Sequence, residues 1–543
     1  MRRDAKAGIR FFGTVAALLV GMAPCVAAQH PLVELPLGDP AYTQLDALVR
    51  QGCRAARVSP YRPYRIGRIQ SALTDAEQQP RCAGAVLDAL RARFSHDTTM
   101  HTDSTVADPH LSIGAAATLA ASGLHNGEFF PLWRDVRPVS EGTPPLVGTA
   151  RVRLTWDAGE HLVGVVEAYG ETNRRNDPLI RAKQFRSTSG VMDFSEAYLA
   201  GQVGPVALSF GRGREAWLGD GSESLALSAN GPPLDRISAE ANWSRFELRL
   251  LFASVNDVVL DRTLGDSLPA NVAQQRWHRV FVGHSLTYRA SRSVDVTLGE
   301  TALIGRQGGG VDLSYANPLM IYQVTQNDQN GSGGGPANLM AFAGVHASLG
   351  PAVLSGEWLI DDIQIDPKDK AVYPNLFGWR LEASYALPTP LPASVDLQYR
   401  RDDNYTYSAD TYTKVYQQYD APLGSELGPG ADLVRLGGEV LPTGRLRLSG
   451  GIGRWRRGGQ RLNDRPAQDR KGHAGEPFPS GTATRPLVQN AWLGDFAVEW
   501  LDGKVPITVR TELLRVDHLN NQDVPVAQLA RVQVVGTWRF RYP

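Results

Sequence analysis

The last thirteen residues of the chain, Arg531–Pro543, alternate between apolar and polar side chains and constrain the fold more than any other segment. In an extended strand, one side would carry the apolar and aromatic residues Val532, Val534, Gly536, Trp538, Phe540 and Tyr542. The other side would carry Arg531, Gln533, Thr537, Arg539 and Arg541, and Val535 alone departs from the pattern. Arginines opposite an apolar side that ends in aromatic residues are typical of a transmembrane β-barrel, whose outer surface meets lipid and whose lumen holds water.

The N-terminus has the organisation of a secretory signal peptide, which we place at residues 1–28. Basic residues precede the short apolar run Phe11–Met22, and the small residues Val26–Ala28 offer a cleavage site. Cys25 raises the alternative of a lipoprotein signal, but Pro24 directly before it argues against that motif. The apolar run is too short to span a bilayer as a helix. We therefore predict an exported chain without a transmembrane helix.

Residues 29–105 show helical periodicity and are predicted to form a small periplasmic helical domain. Asp39 is a suitable N-cap for a first helix, with Pro40 in its first turn and Gly52 near its end. Two further apolar stripes predict a second and a third helix, and they consist of Ile66, Ile69 and Leu73, then Val86, Leu87, Leu90 and Phe94.

The chain has three cysteines, of which Cys25 would leave with the signal peptide. Cys53 and Cys82 remain, and an even pair in an exported protein favours a disulfide. Such a bond would tie the first predicted helix to the third. Two unrelated buried thiols are the alternative.

The overall charge excludes one broad class of function. The chain has 56 basic and 56 acidic residues, so no general positive field points to nucleic acid as a partner. The mean hydropathy of −0.25 looks too polar for a membrane protein. A β-barrel removes this objection, because only alternate residues of each strand meet lipid.

Residues 106–543 show a period of two, which predicts a large antiparallel transmembrane β-barrel in the outer membrane. Apolar and charged residues alternate in the runs Arg151–Trp156, Arg245–Phe252, Val395–Arg400 and Ile507–Leu513. The arginines expected to face the lumen are Arg151, Arg153, Arg245 and Arg249. They could hold acidic sugars, although ion pairs with lumen carboxylates are the interpretation we favour.

Three long polar segments interrupt the predicted strands: Asp328–Asn338, Asn404–Gly430 and Arg456–Pro486. Outer-membrane barrels have short turns on the periplasmic side and longer loops on the outer side. We therefore expect these segments to lie outside the cell or to fold into the lumen.

The sequence carries no arrangement that points to catalysis, so we expect neither an enzyme nor a bound metal or other cofactor. His284 and Glu300, on predicted neighbouring strands, could exchange a proton. No nucleophile accompanies them, and a structural pair is the favoured interpretation. Four aspartates in the segment 361–369 lack the spacing of a twelve-residue calcium loop, so we expect a solvated acidic patch.

Six local motifs occur in a characteristic order between roughly residues 35 and 430. They are Arg62–Ile66, Ser224–Asn230, His284–Arg289 followed by Gly299-Glu300, Tyr315–Leu319, Glu357–Asp362 and Pro422–Pro429. In this order the chain resembles the Wzi family of capsule-assembly outer-membrane proteins. The resemblance implies a barrel of about eighteen strands with a periplasmic helical domain. It also implies a lectin-like role in holding capsular or exported polysaccharide at the cell surface.

Five tyrosines crowd into one predicted loop and are the main candidates for polysaccharide binding: Tyr405, Tyr407, Tyr412, Tyr416 and Tyr419. Aromatic rings pack against the C–H faces of sugars, and phenol hydroxyls bond to sugar oxygens. Positions in the interfacial aromatic girdle are the alternative for each tyrosine. Arg456 and Arg457, at the start of the basic segment, are added as candidates because arginine binds acidic groups in bidentate fashion.

Three functions compete at this stage. The leading one is a lectin that anchors exported polysaccharide, with outer-membrane lipids and the barrel-assembly machinery as further partners. Pro543 after Tyr542 departs from the usual aromatic C-terminus by which such machinery recognises a barrel. The second function is a porin-like transport channel, which the size and the lumen arginines allow. The third is a barrel hydrolase, which no catalytic residues support.

Overall fold

The computed structural model describes residues 30–82, 84–94, 110–124, 146–172, 183–184, 191–219, 223–259, 276–307, 313–317, 320–324, 337–409, 411–419, 421–462, 472–501 and 505–542. The predicted signal peptide lies outside these residues, as does nearly all of the Gly-rich segment Asp328–Asn338. The side chains of Arg539–Tyr542 also lie outside the description. Among the described residues, no helix is long and apolar enough to cross a membrane.

The N-terminal part of the structure, residues 30–94, is here called the head. It contains three α-helices, α1 (Pro40–Arg50), α2 (Ile66–Glu77) and α3 (Ala85–Phe94), as the apolar stripes predict. The Asp39 carboxylate caps α1, because it accepts a hydrogen bond from the backbone amide of Ala41 at 2.9 Å. The buried faces of the three helices share one hydrophobic core.

A disulfide joins Cys53 and Cys82, which confirms the predicted pair. Cys53 follows α1, and Cys82 ends the short 3-10 turn Pro80–Cys82 that precedes α3. The bond therefore closes a loop that contains the whole of α2. The chain segments next to the first and third helices are tied together without a direct link between the helices themselves.

Eighteen antiparallel strands close into a barrel, which confirms the expected fold class and strand number. The strands are β1 (His110–Leu124), β2 (Leu146–Asp157), β3 (Leu162–Glu171), β4 (Val191–Val203), β5 (Val206–Gly213), β6 (Leu234–Trp243), β7 (Phe246–Val259), β8 (Arg276–Arg289), β9 (Val294–Gln307), β10 (Ala337–Leu349), β11 (Ala352–Asp362), β12 (Leu376–Ala386), β13 (Ala393–Asp402), β14 (Ala431–Thr443), β15 (Leu446–Arg457), β16 (Gln489–Trp500), β17 (Ile507–Asp517) and β18 (Ala527–Tyr542). Each strand pairs with the next along the chain, and β18 pairs with β1 to close the wall.

The alternation of the sequence decides which side chains face outward. On β18, Val532, Val534 and Trp538 are exposed, whereas Arg531 and Gln533 face the lumen and are buried. The same division holds on β2, β13 and β17, whose outward positions include the exposed apolar side chains Val152, Leu154, Trp156, Val395, Leu397, Ile507 and Leu513. An outer surface of this kind suits hydrocarbon, and a polar lumen suits water and buried ion pairs.

Short turns lie at one end of the barrel and long connections lie at the other. The head packs against the short-turn end, where the Gln44 side-chain amide donates to the Gly444 carbonyl at 2.8 Å. Gly52 of the head has a φ of 85°, and a Cβ there would lie 2.2 Å from the Gly350 carbonyl oxygen of another turn. Only glycine fits this contact. Because short turns are periplasmic in outer-membrane barrels, the head occupies the periplasmic end.

Most of the predicted lumen arginines pair with carboxylates. Arg153 lies 2.7 Å from Glu196, and Arg249 lies 2.9 Å from Glu215. Arg151 pairs in the same way with Glu167 at 3.1 Å. The interpretation as internal ion pairs therefore describes these arginines better than sugar binding does.

Two details of the sequence interpretation are wrong. Arg245 does not face the lumen, because it lies in the exposed turn between β6 and β7, where Ser244 adopts a left-handed φ of 49° and reverses the chain. The long basic segment does not begin at Arg456. Arg456 and Arg457 are the last residues of β15, since their backbones still pair with β16.

Candidate functional site

Two of the long connections fold back into the lumen and form what we call the plug. They are the segments 214–233, between β5 and β6, and 403–430, between β13 and β14. Their side chains Trp217, Leu225 and Tyr407 have no exposed surface and share a hydrophobic core with lumen-facing residues of the wall. The placement of Asn404–Gly430 in the lumen was one of the two expected positions.

Glu357 of β11 fastens the first connection to the wall. Its carboxylate accepts hydrogen bonds from the backbone amides of Leu225 and Ala226, each at 3.1 Å. The Arg380 guanidinium of β12 lies 3.5 Å from the same carboxylate and donates to the Leu218 carbonyl at 2.8 Å. A wall residue thus supplies the acceptors that the buried loop amides need.

Tyr407 and Tyr416 join the two connections of the plug. The Tyr407 hydroxyl donates to the Leu225 carbonyl at 3.0 Å, and the Tyr416 hydroxyl donates to the Ala226 carbonyl at 2.6 Å. Their rings stack with centroids 5.8 Å apart. Both side chains are completely buried, so a saccharide cannot reach them in this conformation. These two candidate residues stabilise the plug.

The head enters the lumen from the opposite end and meets the plug. The segment Tyr61–Arg62 pairs in antiparallel fashion with Ala216–Trp217. The Tyr61 hydroxyl lies 2.9 Å from both the Thr287 and the Ser285 hydroxyls of β8. Head, plug and wall are therefore one continuous packed unit along the lumen.

Four of the six sequence motifs converge on this unit, namely Arg62–Ile66, Ser224–Asn230, Glu357–Asp362 and Pro422–Pro429. Gly424 shows why the last of them needs glycine. A Cβ at this position would lie 2.4 Å from the Leu225 carbonyl oxygen and 2.5 Å from the Tyr407 ring. These four motifs therefore consist of residues that pack closely in the lumen.

The other two motifs meet on the outside of the wall. His284 of β8 and Glu300 of β9 are direct cross-strand neighbours, as predicted. The backbone amide of Tyr322 donates to Glu300 at 2.7 Å, and the Tyr322 ring lies 4.6 Å from the His284 ring, centroid to centroid. The covering segment also carries Tyr315, which packs against Tyr322. Tyr322 therefore contacts both groups, while His284 Nδ1 is buried without a hydrogen-bond partner in the described part of the chain.

Two of the four aspartates in the segment 361–369 accept hydrogen bonds from backbone amides. Asp361 accepts a hydrogen bond from the Tyr407 amide at 2.7 Å, and Asp366 accepts one from the Lys368 amide at 2.8 Å. Within the described ranges, no three His, Cys, Asp or Glu residues gather into a group that could hold a metal ion.

At the long-loop end, the structure assembles a surface group that we call the rim cluster: Arg401, Tyr405, Arg456, His473 and Phe478. The Arg401 guanidinium carbon lies 3.8 Å from the centre of the Phe478 ring, and that of Arg456 lies 5.9 Å from it. His473 Nδ1 lies 3.3 Å from the Tyr405 hydroxyl. The cluster combines aromatic rings with cationic groups at one place on the rim.

Tyr405 is buried in the rim cluster at 4% exposure, whereas the arginines and His473 are accessible and the charges are partly balanced. The side chains of Arg401, Arg456 and His473 are 33%, 34% and 34% exposed. Arg401 pairs with Asp403 at 2.6 Å. Burial raises the pKa of the Asp403 carboxyl, and the Arg401 guanidinium opposes that rise. Arg456 pairs likewise with Asp432 across the strands.

Tyr405 occupies an uncommon backbone conformation within the cluster. Its φ is 71°, and Tyr407 two residues later has a φ of 70°. Bulky residues with a left-handed backbone cost about 1–3 kcal/mol each and persist where surrounding contacts enforce them. The hydrogen bonds of Tyr407 in the plug supply that enforcement, so the plug fixes the position of Tyr405 at the rim.

The candidate residues thus fall into three groups. Tyr405 and Arg456 come together in the rim cluster, whereas Tyr407 and Tyr416 are internal. Tyr412, Tyr419 and Arg457 are half-buried at other places. Sequence reasoning missed Arg401, His473 and Phe478. His473 and Phe478 are the only histidine and aromatic residues in the sequence between positions 458 and 486. Their isolation in this polar segment is the one sequence signal that could have identified them as candidates.

Comparison with known proteins shows which barrel this one is similar to. The sequence model of the family "Capsule assembly protein Wzi" matches residues 146–440. The solved structure of Wzi from Escherichia coli aligns with a TM-score of 0.55 at 14% identity, over 91% of this chain and 97% of that chain. No curated protein sequence matches the chain.

Two further solved barrels align more loosely. OccAB1 of Acinetobacter baumannii has a TM-score of 0.46 at 10% identity, over 81% of this chain and 98% of that chain. OccD3 of Pseudomonas aeruginosa has a TM-score of 0.44 at 8% identity, over 81% of this chain and 92% of that chain. The family match, by contrast, spans more than half of the 543 residues. With its plugged barrel of eighteen strands and its periplasmic head, the chain belongs to the Wzi family of capsule assembly proteins.

Proposed function

We propose that this protein is a non-enzymatic, lectin-like barrel of the outer membrane that binds exported capsular polysaccharide and holds it at the cell surface. Family membership is the observation that carries the proposal. The related Escherichia coli Wzi is described as an outer-membrane protein of group 1 capsule assembly and a carbohydrate-binding β-barrel. The proposal includes the domain division predicted from the sequence: a signal peptide at 1–28, a periplasmic domain at 29–105 and a barrel at 106–543.

The packed lumen favours a surface-binding role over the porin-like alternative. The plug and the head contact each other and the wall, and their central side chains are fully buried. Loops fixed in this way present a rigid outer face. A rigid face loses little conformational entropy on binding an extended polymer.

The rim cluster is the part of that face best suited to saccharide. Phe478 and His473 offer partly exposed rings for sugar C–H faces, and Arg401 and Arg456 offer guanidinium groups for acidic sugars. Tyr405 is 4% exposed and supports His473 from below. Tyr412 and Tyr419 of the plug, and Arg457 at the end of β15, remain further candidates. Capsular polysaccharide is the proposed partner, and membrane lipids and the assembly machinery are the expected surroundings of the barrel.

Deleting the gene tests the anchoring role directly. We expect polysaccharide synthesis to continue while the polymer moves from the cell surface into the medium. The two fractions can be separated by gentle centrifugation and measured by their uronic acid or hexose content. An unchanged amount of cell-bound polymer in the deletion strain would contradict the proposal.

Phe478→Ala should weaken polysaccharide binding about tenfold, because the variant loses a ring against which a sugar can pack, worth about 1 kcal/mol beyond the lost contact area. The matched control is Phe496→Ala on β16, which removes an equally large ring, 53% exposed, from the outer wall. Purified variants in detergent can be compared by capture on immobilised capsular polysaccharide. Equal binding by both variants would place the sugar site elsewhere.

A further inference from the structure

The outer wall of β14–β17 changes abruptly from apolar to basic near the long-loop end. One cross-strand row faces outward with Leu436, Ile452, Gly494 and Leu513. Its three large side chains are 54%, 65% and 54% exposed. The row two residues nearer the loops contains Val434, Arg454, Trp492, Arg515 and Gln528. Two outward arginines therefore flank an exposed tryptophan at the upper edge of the hydrocarbon-facing surface.

A cavity of about 340 Å³ lies against this second row, on the outside of the barrel. Arg454 and Trp492 line it on the wall, and Val524 and Val526 line it from the connection between β17 and β18. Asn490, Asp517 and His518 complete the polar part of the lining. The volume is at the lower end of the range of small-molecule sites, which leaves room for more than a bare anion.

Two arginines at this site keep donors that a ligand can use: Arg454 in the cavity lining, and Arg515 next to Trp492 in the same outward row. Arg454 donates to the Asn490 side-chain oxygen at 3.2 Å. In the part of the chain that the structure describes, neither Arg454 nor Arg515 forms an ion pair with a carboxylate. In the cavity lining, Asp517 opposes the charge of Arg454, and Arg515 adds a second positive charge from beside the cavity. Each guanidinium keeps donors that an anion can use.

Arg212 of β5 provides an instructive contrast. It lies on the outer wall, above the exposed Leu208 and Phe210. Its guanidinium, however, lies 2.8 Å from Asp235 and 3.1 Å from Asp193. The outward Arg212 of β5 is thus paired with carboxylates of the protein. The outward Arg454 of β15 and Arg515 of β17 have no such partner among the described residues.

We propose that the cavity at Arg454 and Trp492, together with Arg515 beside Trp492 in the same outward row, binds a phosphorylated lipid of the outer leaflet. The phosphate would accept hydrogen bonds from the two guanidinium groups, which are suited to bidentate phosphate binding. The acyl chains would lie along Ile452 and Leu513 directly below. Trp492 lies between the two regions, where indole rings are favoured at a membrane interface. The inference rests on the barrel standing in a membrane and is independent of polysaccharide binding.

The test uses the full-length protein in detergent, titrated with bis-phosphorylated lipid A and followed by native mass spectrometry. The double variant R454Q/R515Q is expected to bind at least about tenfold more weakly, because charge-assisted hydrogen bonds are lost. The control R212Q removes an outward arginine that already has two carboxylate partners, and it is expected to bind as the wild type does. A heat-dependent gel shift checks that every variant is folded.

Three results would overturn the proposal. The first is equal lipid binding by wild type and R454Q/R515Q. The second is equal binding of dephosphorylated lipid A, which would mean that the phosphate is not recognised. The third is binding of inorganic phosphate as tight as that of the lipid, which would mean a simple anion site. None of these results depends on whether the cell retains its polysaccharide.

Discussion

Arg68→Ala is expected to loosen the head from the barrel, at a cost of about 3–5 kcal/mol in docking free energy. The Arg68 guanidinium donates to the two carboxylate oxygens of Glu247 at 2.8 and 3.0 Å and also contacts Glu240. The two glutamates belong to the barrel wall and are 1% and 5% exposed. Without the arginine, both carboxylates would stay buried with less compensation.

The effect should be large because Arg68 belongs to a balanced network between head and lumen. The head supplies Glu34, Arg65 and Arg68. The plug and the wall supply Glu215, Arg236, Glu240, Glu247 and Arg249. Four acidic residues face four basic ones, and the exposed Arg289 adds only a longer contact of 3.5 Å to Glu247. The loss of Arg68 therefore leaves the buried carboxylates with less positive charge around them. Removing one partner of a buried ion pair costs more than the pair contributes.

Limited proteolysis of the purified protein would measure the docking. The matched control is Arg91→Ala, which breaks a pair with Glu77 at 2.7 Å on the head surface, where the two side chains are 48% and 43% exposed. Exposed pairs are worth about 0–1 kcal/mol, so this variant should resist cleavage as the wild type does. The double variant R68A/E247Q should regain part of the protection. Equal protection of R68A and R91A would contradict the role of the network.

The barrel could be predicted because its evidence is local. A period of two fixes which side chains face lipid, and the exposed Val532, Val534 and Trp538 of β18 show that each face was assigned correctly. The helices of the head could be predicted from equally local signals, namely the N-cap residue of the first helix and the apolar stripe of each helix. The strand number came from the family resemblance, since an alternating pattern does not reveal where every short strand ends.

The plug and the rim cluster could not be predicted, because their contacts join distant segments. Tyr407 and Leu225 are 182 positions apart, and Arg401 of β13 contacts Phe478 in the connection between β15 and β16. A tyrosine in a Gly-rich loop has the same local sequence signal whether it faces water or a packed lumen. The burial of Tyr405 beneath the rim and of Tyr416 in the lumen follows from which connection folds inward.

Glu357→Ala is expected to release the plug and open the lumen to ions. The Glu357 carboxylate is 2% exposed, accepts the amides of Leu225 and Ala226, and lies beside Arg380. Alanine would leave a buried guanidinium and two backbone donors without this acceptor. Such a loss costs about 3–5 kcal/mol. The segment 214–233 would then favour conformations in which water solvates its amides.

Single-protein conductance in a planar bilayer measures this opening. The wild type should stay closed, and the alanine variant should show repeated current steps as the plug leaves and returns. The control Glu499→Ala removes another buried lumen glutamate, which pairs with the wall residues Arg447 and Arg510. It should stay closed, because its partners belong to the wall. Glu357→Gln keeps one oxygen acceptor and should open less often than the alanine variant.

The same recording separates the two leading functions. Steady current through the wild type would mean that the packed lumen conducts. That result would favour the porin-like transport channel over the surface lectin. A folded Glu357→Ala variant that stays as closed as the wild type would show that other contacts suffice, such as those of Tyr407 and Tyr416 with the loop carbonyls. Current in the alanine variant alone would show that the barrel is a closed support whose plug is held by one wall carboxylate.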